Sequence, residues 1–576
     1  MSKTLMAKTS MAKTSMAKTS TAKAATDFND PINLQVMWNR LIFIADQADT
    51  VLGRTAFSPI VRENHDYVTV LLDSRGRALA QCTWSIPVFI TSLPVAAQTY
   101  FLPKFPPETL QEGDVLATND PEIGTGHLPD VTMITPIFKN GKIVAYAGSI
   151  AHLPDIGGAP LHSEASDIYE EGIRFPIVKL HRAGVPNQDV LDIIAASVRL
   201  PTEVLGDLES MVAANNVMGR ELVKFLDEYG LDEVDGLADA IHSRSEAQMR
   251  KAIRAWPNGR YEAEVLLDGY HDDITLKAAV IVADETIHVD YTGTSDQVLH
   301  SINCRTNYRY AHSVYALKCL LDPETPNNEG CITPVTDEAP LGSILNPEAW
   351  TAGNSRNLIG HVIPSLIFKA LEGIVPDKVM GDSGGAPIWA ANCVGRRDDG
   401  SQYGSVQNFH GGQGARAELD GLDTLSFPSN CKVTAIEMFE IAVPVLTECK
   451  ELIADSGGAG QHRGGLGQRV ILRNRAKAPM NIYLATERVR HPCFGVVDGQ
   501  SGMPGKVARN GEAQFPKGKV VLQTGDRLKV ETPGGGGWGR AAARSAELIA
   551  LDLAEGLVSP DATRRIYGKA FAAAAE

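Results

Sequence analysis

Two copies of one tetrapeptide concentrate the chemistry of this sequence. His-Leu-Pro-Asp occurs at His127–Asp130 and again at His152–Asp155. Each copy brings an imidazole nitrogen and a carboxylate oxygen, the donors that first-row divalent metals take when thiolates are absent. Proline in the third place argues against a helix at either copy, so both are expected in loops or at strand ends. Between them lie VTMITPIF (131–138) and IVAYAGSI (143–150), two strand-like runs joined by KNGK (139–142). Asn-Gly is the strongest two-residue hairpin signal.

A turn centred on Asn140-Gly141 puts Asp130 opposite Ala151 and Pro129 opposite His152, and it is expected to set the register of the whole hairpin. Adjacent strands lie ~4.8 Å apart. Two imidazoles and two carboxylates then meet at the open end of one hairpin. Pro136 removes a ladder hydrogen bond, so the hairpin should sit at a sheet edge or carry a bulge. A mixed nitrogen and oxygen set with open positions suits one divalent transition metal, zinc, manganese or iron, and ligand softness does not choose among them. One His-x-x-Asp more often caps a strand end than binds an ion; two copies converging favour the ion. Asp120 and Asp155 are candidates for further ligation or for orienting the histidines. Glu170 and Glu171 in YEEG, with Glu63 and Asp66 in VRENHDYV, are candidates for proton transfer.

These groups need a scaffold, and the chain is long enough for several cores: 576 residues imply two to four domains. Helical periodicity covers 32–56 and 201–255, and 307–320 and 356–374 also look helical. A hairpin reads at 68–81, short strands follow Pro257-Asn258-Gly259, and 541–571 is helical again. Glycine dominates 400–540 in HGGQGAR (410–416), SGGAGQHRGGLG (456–467) and PGGGGWG (533–539). The expected class is α+β and multidomain, with the metal site at a hairpin end in the N-terminal half and a glycine-rich, β-containing C-terminal half. The expected spans are a low-complexity tail at 1–27, a metal-binding domain at 28–256, a β-rich segment at 257–345, a glycine-rich domain at 346–540 and a helical tail at 541–576.

Several functions are disfavoured. A net charge of -15 argues against nucleic acid as a partner. No apolar run reaches the ~18 residues that cross a bilayer. Eight cysteines without a C-x-x-C pair fit a reducing cytoplasm better than a disulfide framework. The tail repeats MAKTS three times and lacks the apolar segment of a secretory signal. Gly381-Asp382-Ser383-Gly384-Gly385 matches a nucleophile-elbow pattern, but no helix signal follows it, and glycine turns account for it better. Arg416, His462 and Arg463 in the glycine-rich loops could hold an anion; tight turns are the competing explanation.

The joint occurrence of ATNDPEIGTGHLPD, AHLPDIGG, YEEGIRFP, GDLESMVAAN, DYTGTS, PNNEG, HGGQGARAELDG, DSGGAGQHRGGLG and TPGGGGWG, in this order from about 30 to 570, resembles the hydantoinase B/oxoprolinase family. That family includes subunits of lactam-opening amidohydrolases such as caprolactamase and of acetone and acetophenone carboxylases. The resemblance implies that His127, Asp130 and His152 are the metal ligands. It also implies that ATP-Mg is bound by a separate hydantoinase A-like subunit, in a heterotetramer or larger assembly. The absence of G-x-x-x-x-G-K-[ST] fits that division of labour. The implied activity is ATP-dependent opening of a hydantoin, 5-oxoproline or lactam, with ketone carboxylation as the alternative. The MAKTS repeats have no counterpart in the family.

Overall fold

The computed structural model describes residue 28 and residues 30–86, 89–159 and 164–568. The MAKTS repeats and the last residues of the helical tail lie outside the described residues. The chain mixes helix and sheet in the α+β manner, with four sheets among the described residues. No helix among them is long and apolar enough to cross a membrane.

Asp30 starts the first long helix, α1 (Pro31–Thr55): its side chain accepts the Ile32 N–H at 3.1 Å, and Pro31 sits in the first turn. Leu34, Met37, Trp38, Leu41, Ile44, Ala48 and Leu52 form its buried stripe. That stripe packs on α2 (Pro201–Tyr229), which ends at Gly230 in the left-handed conformation, with φ 70°. α3 (Asp235–Arg254) follows.

The sheet beneath these helices has seven strands: β1 (Tyr67–Asp73), β2 (Ala78–Gln81), β3 (Val115–Thr118), β4 (Asp130–Lys139), β5 (Lys142–His152), β6 (Val178–Arg182) and β7 (Val185–Pro186). Their order is β2-β1-β5-β4-β3-β6-β7, antiparallel throughout. Both faces are covered. Val131, Met133, Ile137 and Ala147 point into a core shared with α1 and α2. Ile134, Tyr146 and Ile150 point into a second core shared with the helices Phe89–Ala96, Thr306–Leu321 and Ile363–Leu371. Two-sided burial is why β4 and β5 read as continuous apolar runs.

Of the two placements Pro136 allowed, a sheet edge or a bulge, the hairpin takes the bulge, and its register departs from the one the turn alone implies. It lies in the middle of the sheet, with β1 hydrogen-bonded to β5 and β3 to β4. Asn140 and Gly141 both have positive φ (52° and 77°), and Lys139 pairs Lys142 as the turn dictates. Ile137 then pairs Ala145 and Phe138 pairs Ile143, so Val144 is an extra residue. Beyond it the register is displaced by one, and Asp130 faces His152, not Ala151. Directly opposed residues share a face of the sheet. The bulge therefore brings Asp130 and His152 to the same side.

The rest of the chain builds a wall over that side. A second sheet takes Gly259–Leu267, Ile274–Ala283, Thr286–Asp290 and Val335–Glu338. A third is led by β8 (Trp389–Arg396) and β9 (Gln402–Phe409), followed by Met480–Ala485 and Gly518–Leu522. A fourth takes Val445–Leu452, Gln468–Asn474, Arg527–Glu531, Lys506–Arg509 and Glu512–Ala513. The glycine-rich segments pack backbone against backbone. A Cβ on Gly412 would come 1.8 Å from the Gly465 carbonyl oxygen, and one on Gly535 would come 2.1 Å from that of Gln413. Gly412 N–H donates to Pro533 O at 3.0 Å and Gly535 N–H to Gly465 O at 3.0 Å. These glycines are required by close approach.

Candidate metal centre

Three strands and one loop assemble the centre. The His152 N–H donates to Asp66 O at 3.1 Å, continuing the β1–β5 register in which Tyr67 pairs Ala151. Asp66, His152 and Asp130 thus form a row across β1, β5 and β4, on the face that also carries Val68, Ile150 and Ile134. His127 enters from the loop before β4. Asn119 anchors that loop: its side-chain amide donates to Leu128 O at 3.0 Å and to Ile173 O at 2.8 Å, and its oxygen accepts the Phe175 N–H at 2.8 Å.

His127 is 6% exposed, Asp130 3% and His152 7%. One ligand atom from each lies within 4.8 Å of the other two. Asp130 Oδ1 is 2.8 Å from His127 Nε2 and 2.9 Å from His152 Nδ1. Asp130 Oδ2 accepts from Thr125 Oγ1 and, at 3.1 Å, from Arg356 Nη2. Arg356 also lies 3.9 Å over the Tyr308 ring. The Asp66 carboxylate is 4.0 Å from His152 Nδ1.

Protonation follows from these contacts. Burial, reinforced by Arg356, holds the His127 imidazole down at about 4, so it is neutral at pH 7. Its Nδ1 faces the Asn354 carbonyl oxygen at 3.0 Å and must carry the proton to donate there. Nε2 is then a bare lone pair, buried and without a hydrogen-bond partner, 2.8 Å from a carboxylate oxygen. Burial opposes ionisation of Asp130, but the charges and hydrogen bonds around it, those of His152 and Arg356 among them, outweigh it and hold the carboxyl well below its usual range. Two electron-rich atoms in contact with no proton between them call for a cation. The residues therefore fit a divalent metal, and Asn354 O supplies the hydrogen bond that typically orients a ligating histidine.

The other expected site residues are placed as follows. Asp66 lines the same cavity; burial is the main cause that pushes its pKa up to about 6. Glu171 is buried and does not line that cavity; its Oε1 accepts the Ser301 hydroxyl and the N–H groups of Gly353 (3.0 Å) and Asn354 (2.7 Å). Glu170 is exposed and accepts from Ser166. Glu63 is half-buried beside Arg62. Asp120 pairs with Arg174 at 2.7 Å. Asp155 pairs with Arg199 at 2.7 Å and stands outside the ligand group, so one carboxylate joins the two imidazoles instead of the expected two. Arg463 is buried against Asp423, Asp552 and the Gly464 carbonyl. His462 lies 3.6 Å from Asp420, and Arg416 is exposed. None of these three lines either cavity beside the centre. Ser383 is fully buried and accepts the Gly414 N–H at 2.9 Å, a structural role. Sequence reasoning missed Asn354, Arg356 and His361. Asn354 and Arg356 stand in GNSRN, more than 200 residues from the hairpin, with no spacing signal to connect them.

Two cavities meet at the centre. One, of about 640 Å³, holds the three ligands with Asp66, Arg356 and His361. The other, of about 860 Å³, reaches His152 and Asn354 from the side of Ile156, Arg199 and Tyr403. His152, Asn354, Ile60 and Val406 border both.

Residues 30–541 match the family model for hydantoinase B/oxoprolinase. A protein from Pseudomonas sp., named as one component of a D-/L-hydantoinase, is 29% identical over 94% of this chain and 95% of its own. The crystal structure of an ATP-dependent caprolactamase from Pseudomonas jessenii superposes with a TM-score of 0.84 at 27% identity, covering 94% of this chain and 96% of that one. An acetone carboxylase structure shares the fold, with a TM-score of 0.84 at 18% identity, covering 94% of this chain and 80% of that one. With the family model spanning most of its length, this chain belongs to the hydantoinase B/oxoprolinase family.

Proposed function

We propose that this chain is the metal-dependent catalytic subunit of an ATP-dependent amidohydrolase that opens a cyclic amide. The observation that carries the reading is the buried contact between the His127 Nε2 lone pair and Asp130, with His152 alongside, at the wall of a cavity. His127, Asp130 and His152 would hold one zinc, manganese or iron ion, which supplies Lewis-acid polarisation of the substrate carbonyl. Asp66 stands on the cavity wall beside His152 and takes the proton from the attacking water. Arg356 balances the Asp130 charge, and Asn354 keeps the His127 lone pair turned inward. Glu171 is a positioning residue: it holds the Gly353–Asn354 backbone whose carbonyl orients His127. Ile86, Phe89 and Ile388 give the cavity its dry side.

An unstrained lactam resists water because of amide resonance, so the ring needs activation. We assign that step to an ATP-Mg-binding hydantoinase A-like partner in a heterotetramer or larger assembly. Relatives named as single subunits of a D-/L-hydantoinase and of a caprolactamase support a partner. The test is co-expression with a candidate ATP-binding hydantoinase A-like subunit, followed by turnover of lactams and ketones with and without ATP. ATP-dependent ring opening by the pair, lost in His152→Ala, supports the reading; turnover of ketones with carbonate and no lactam opening contradicts it. The second reading, a ketone carboxylase subunit, draws on the shared fold of acetone carboxylase. Coverage of 96% of the caprolactamase chain against 80% of the carboxylase chain favours the amidohydrolase.

A further inference from the structure

The wall facing the metal centre is uncharged. On the β8–β9 ribbon Ala390 pairs Asn408 and Asn392 pairs Val406. Opposed residues, and residues two apart, share a face. Ala390, Asn392, Val406 and Asn408 therefore lie on one side, which borders the two cavities. Asn408 is 9% exposed, and its carboxamide makes no hydrogen bond among the described residues.

The charged side chains bordering the cavities, histidines aside, are Asp66, Asp130, Asp155, Arg199 and Arg356 among the described residues. Each arginine already has its acid. Arg199 is held by Asp155 at 2.7 Å and by the Gly157 and Gly158 carbonyls. Arg356 is held by Asp130 at 3.1 Å and by Thr125. Asp66 has no arginine or lysine within ion-pair distance among the described residues; its nearest cationic group is His152 at 4.0 Å. With both arginines paired, the cation facing the cavity would be the metal, whose open positions the reacting amide takes, so a further carboxylate on the ligand would find no free bidentate cation among the described residues.

Resting on the ring-amide reading above, we infer that this site takes an uncharged ring, a lactam or cyclic imide carrying no carboxylate of its own, and that Asn408 reads its amide edge. A small lactam holds its amide cis, so N–H and C=O point the same way. A primary carboxamide presents the complementary donor and acceptor pair. Apolar neighbours Ala390, Val406 and Ile388 suit the methylene side of the ring.

The test uses the full chain with its metal and three probes differing in one feature each: 2-pyrrolidinone, its carboxylate derivative 5-oxoproline, and cyclopentanone. Dissociation constants come from ligand-observed NMR. We expect 2-pyrrolidinone to bind at least tenfold more tightly than 5-oxoproline. We expect Asn408→Leu to weaken 2-pyrrolidinone at least fivefold while changing cyclopentanone less than twofold. Equal or tighter binding of 5-oxoproline overturns the inference and leaves the ring-amide reading standing. If cyclopentanone matches 2-pyrrolidinone and both exceed 5-oxoproline, the uncharged site stands and the ring-amide reading fails. No binding by any probe overturns the inference, and an unchanged Asn408→Leu removes Asn408 from it.

Discussion

Glu171 tests how the loops around the centre are held. One of its carboxylate oxygens takes the Ser301 hydroxyl and the N–H groups of Gly353 and Asn354. Burial, outweighing those donors and Arg305, pushes its pKa from 4.5 to about 7. A carboxyl raised in the folded state stabilises the fold fully below pH 4.5, where both states are protonated. That stabilisation is lost as pH rises towards about 7, because the unfolded chain ionises first. At about 1.4 kcal/mol per pKa unit, the loss is on the order of 3 kcal/mol. Glu171→Gln keeps an oxygen acceptor and cannot ionise, so it should lose this part of the pH dependence. Glu171→Ala should be destabilised at every pH. It orphans the Gly353 N–H and weakens the seat of Asn354, at about 1–3 kcal/mol per unsatisfied buried donor. With the Asn354 carbonyl loosened, metal affinity should fall roughly 10–100-fold. Urea unfolding of the three proteins between pH 4.5 and 8, with metal titration, reads both effects. A Gln variant whose stability tracks the wild type across that range would refute the argument.

Asp66→Asn should lower ATP-dependent turnover by about 10²–10⁴, the usual worth of a general base, while metal content stays unchanged; steady-state kinetics with the partner and elemental analysis separate the two. Gly141→Val should cost about 1–2 kcal/mol for a β-branched residue at positive φ, and should keep its metal, because β1 and β3 fix the register from both sides. Calorimetric titration of the isolated chain with ATP-Mg should be flat, since no phosphate loop exists; micromolar binding would contradict the proposed division of labour. A chain starting at Asp27 should keep its melting temperature and metal, because the MAKTS repeats offer too little apolar area to offset ordering.

The duplicated His-Leu-Pro-Asp and the Asn140-Gly141 turn were legible because turn chemistry and strand alternation are local. Pro136 signalled a bulge but not its position. Val144 became the extra residue in a sheet whose register is shared with β1, and that pairing cannot be read from the hairpin alone. For the same reason the second aspartate, Asp155, could not be told from the first: its partner, Arg199, comes from another part of the chain. The contacts of Glu171 were not legible, since its three donors come from residues 301, 353 and 354, far from it in sequence. The glycine-rich segments were legible as turns. Their mutual backbone packing is non-local, and it leaves Arg463 bound to acids instead of free for an anion.

The account stands on a metal held by His127, Asp130 and His152. Elemental analysis of the purified chain and of His152→Ala, both shown folded by circular dichroism, measures this directly. The account predicts about one transition-metal ion per wild-type chain and a small fraction of that in the variant. Equal metal in both proteins, or none in either after growth with zinc, manganese and iron supplied, would contradict it.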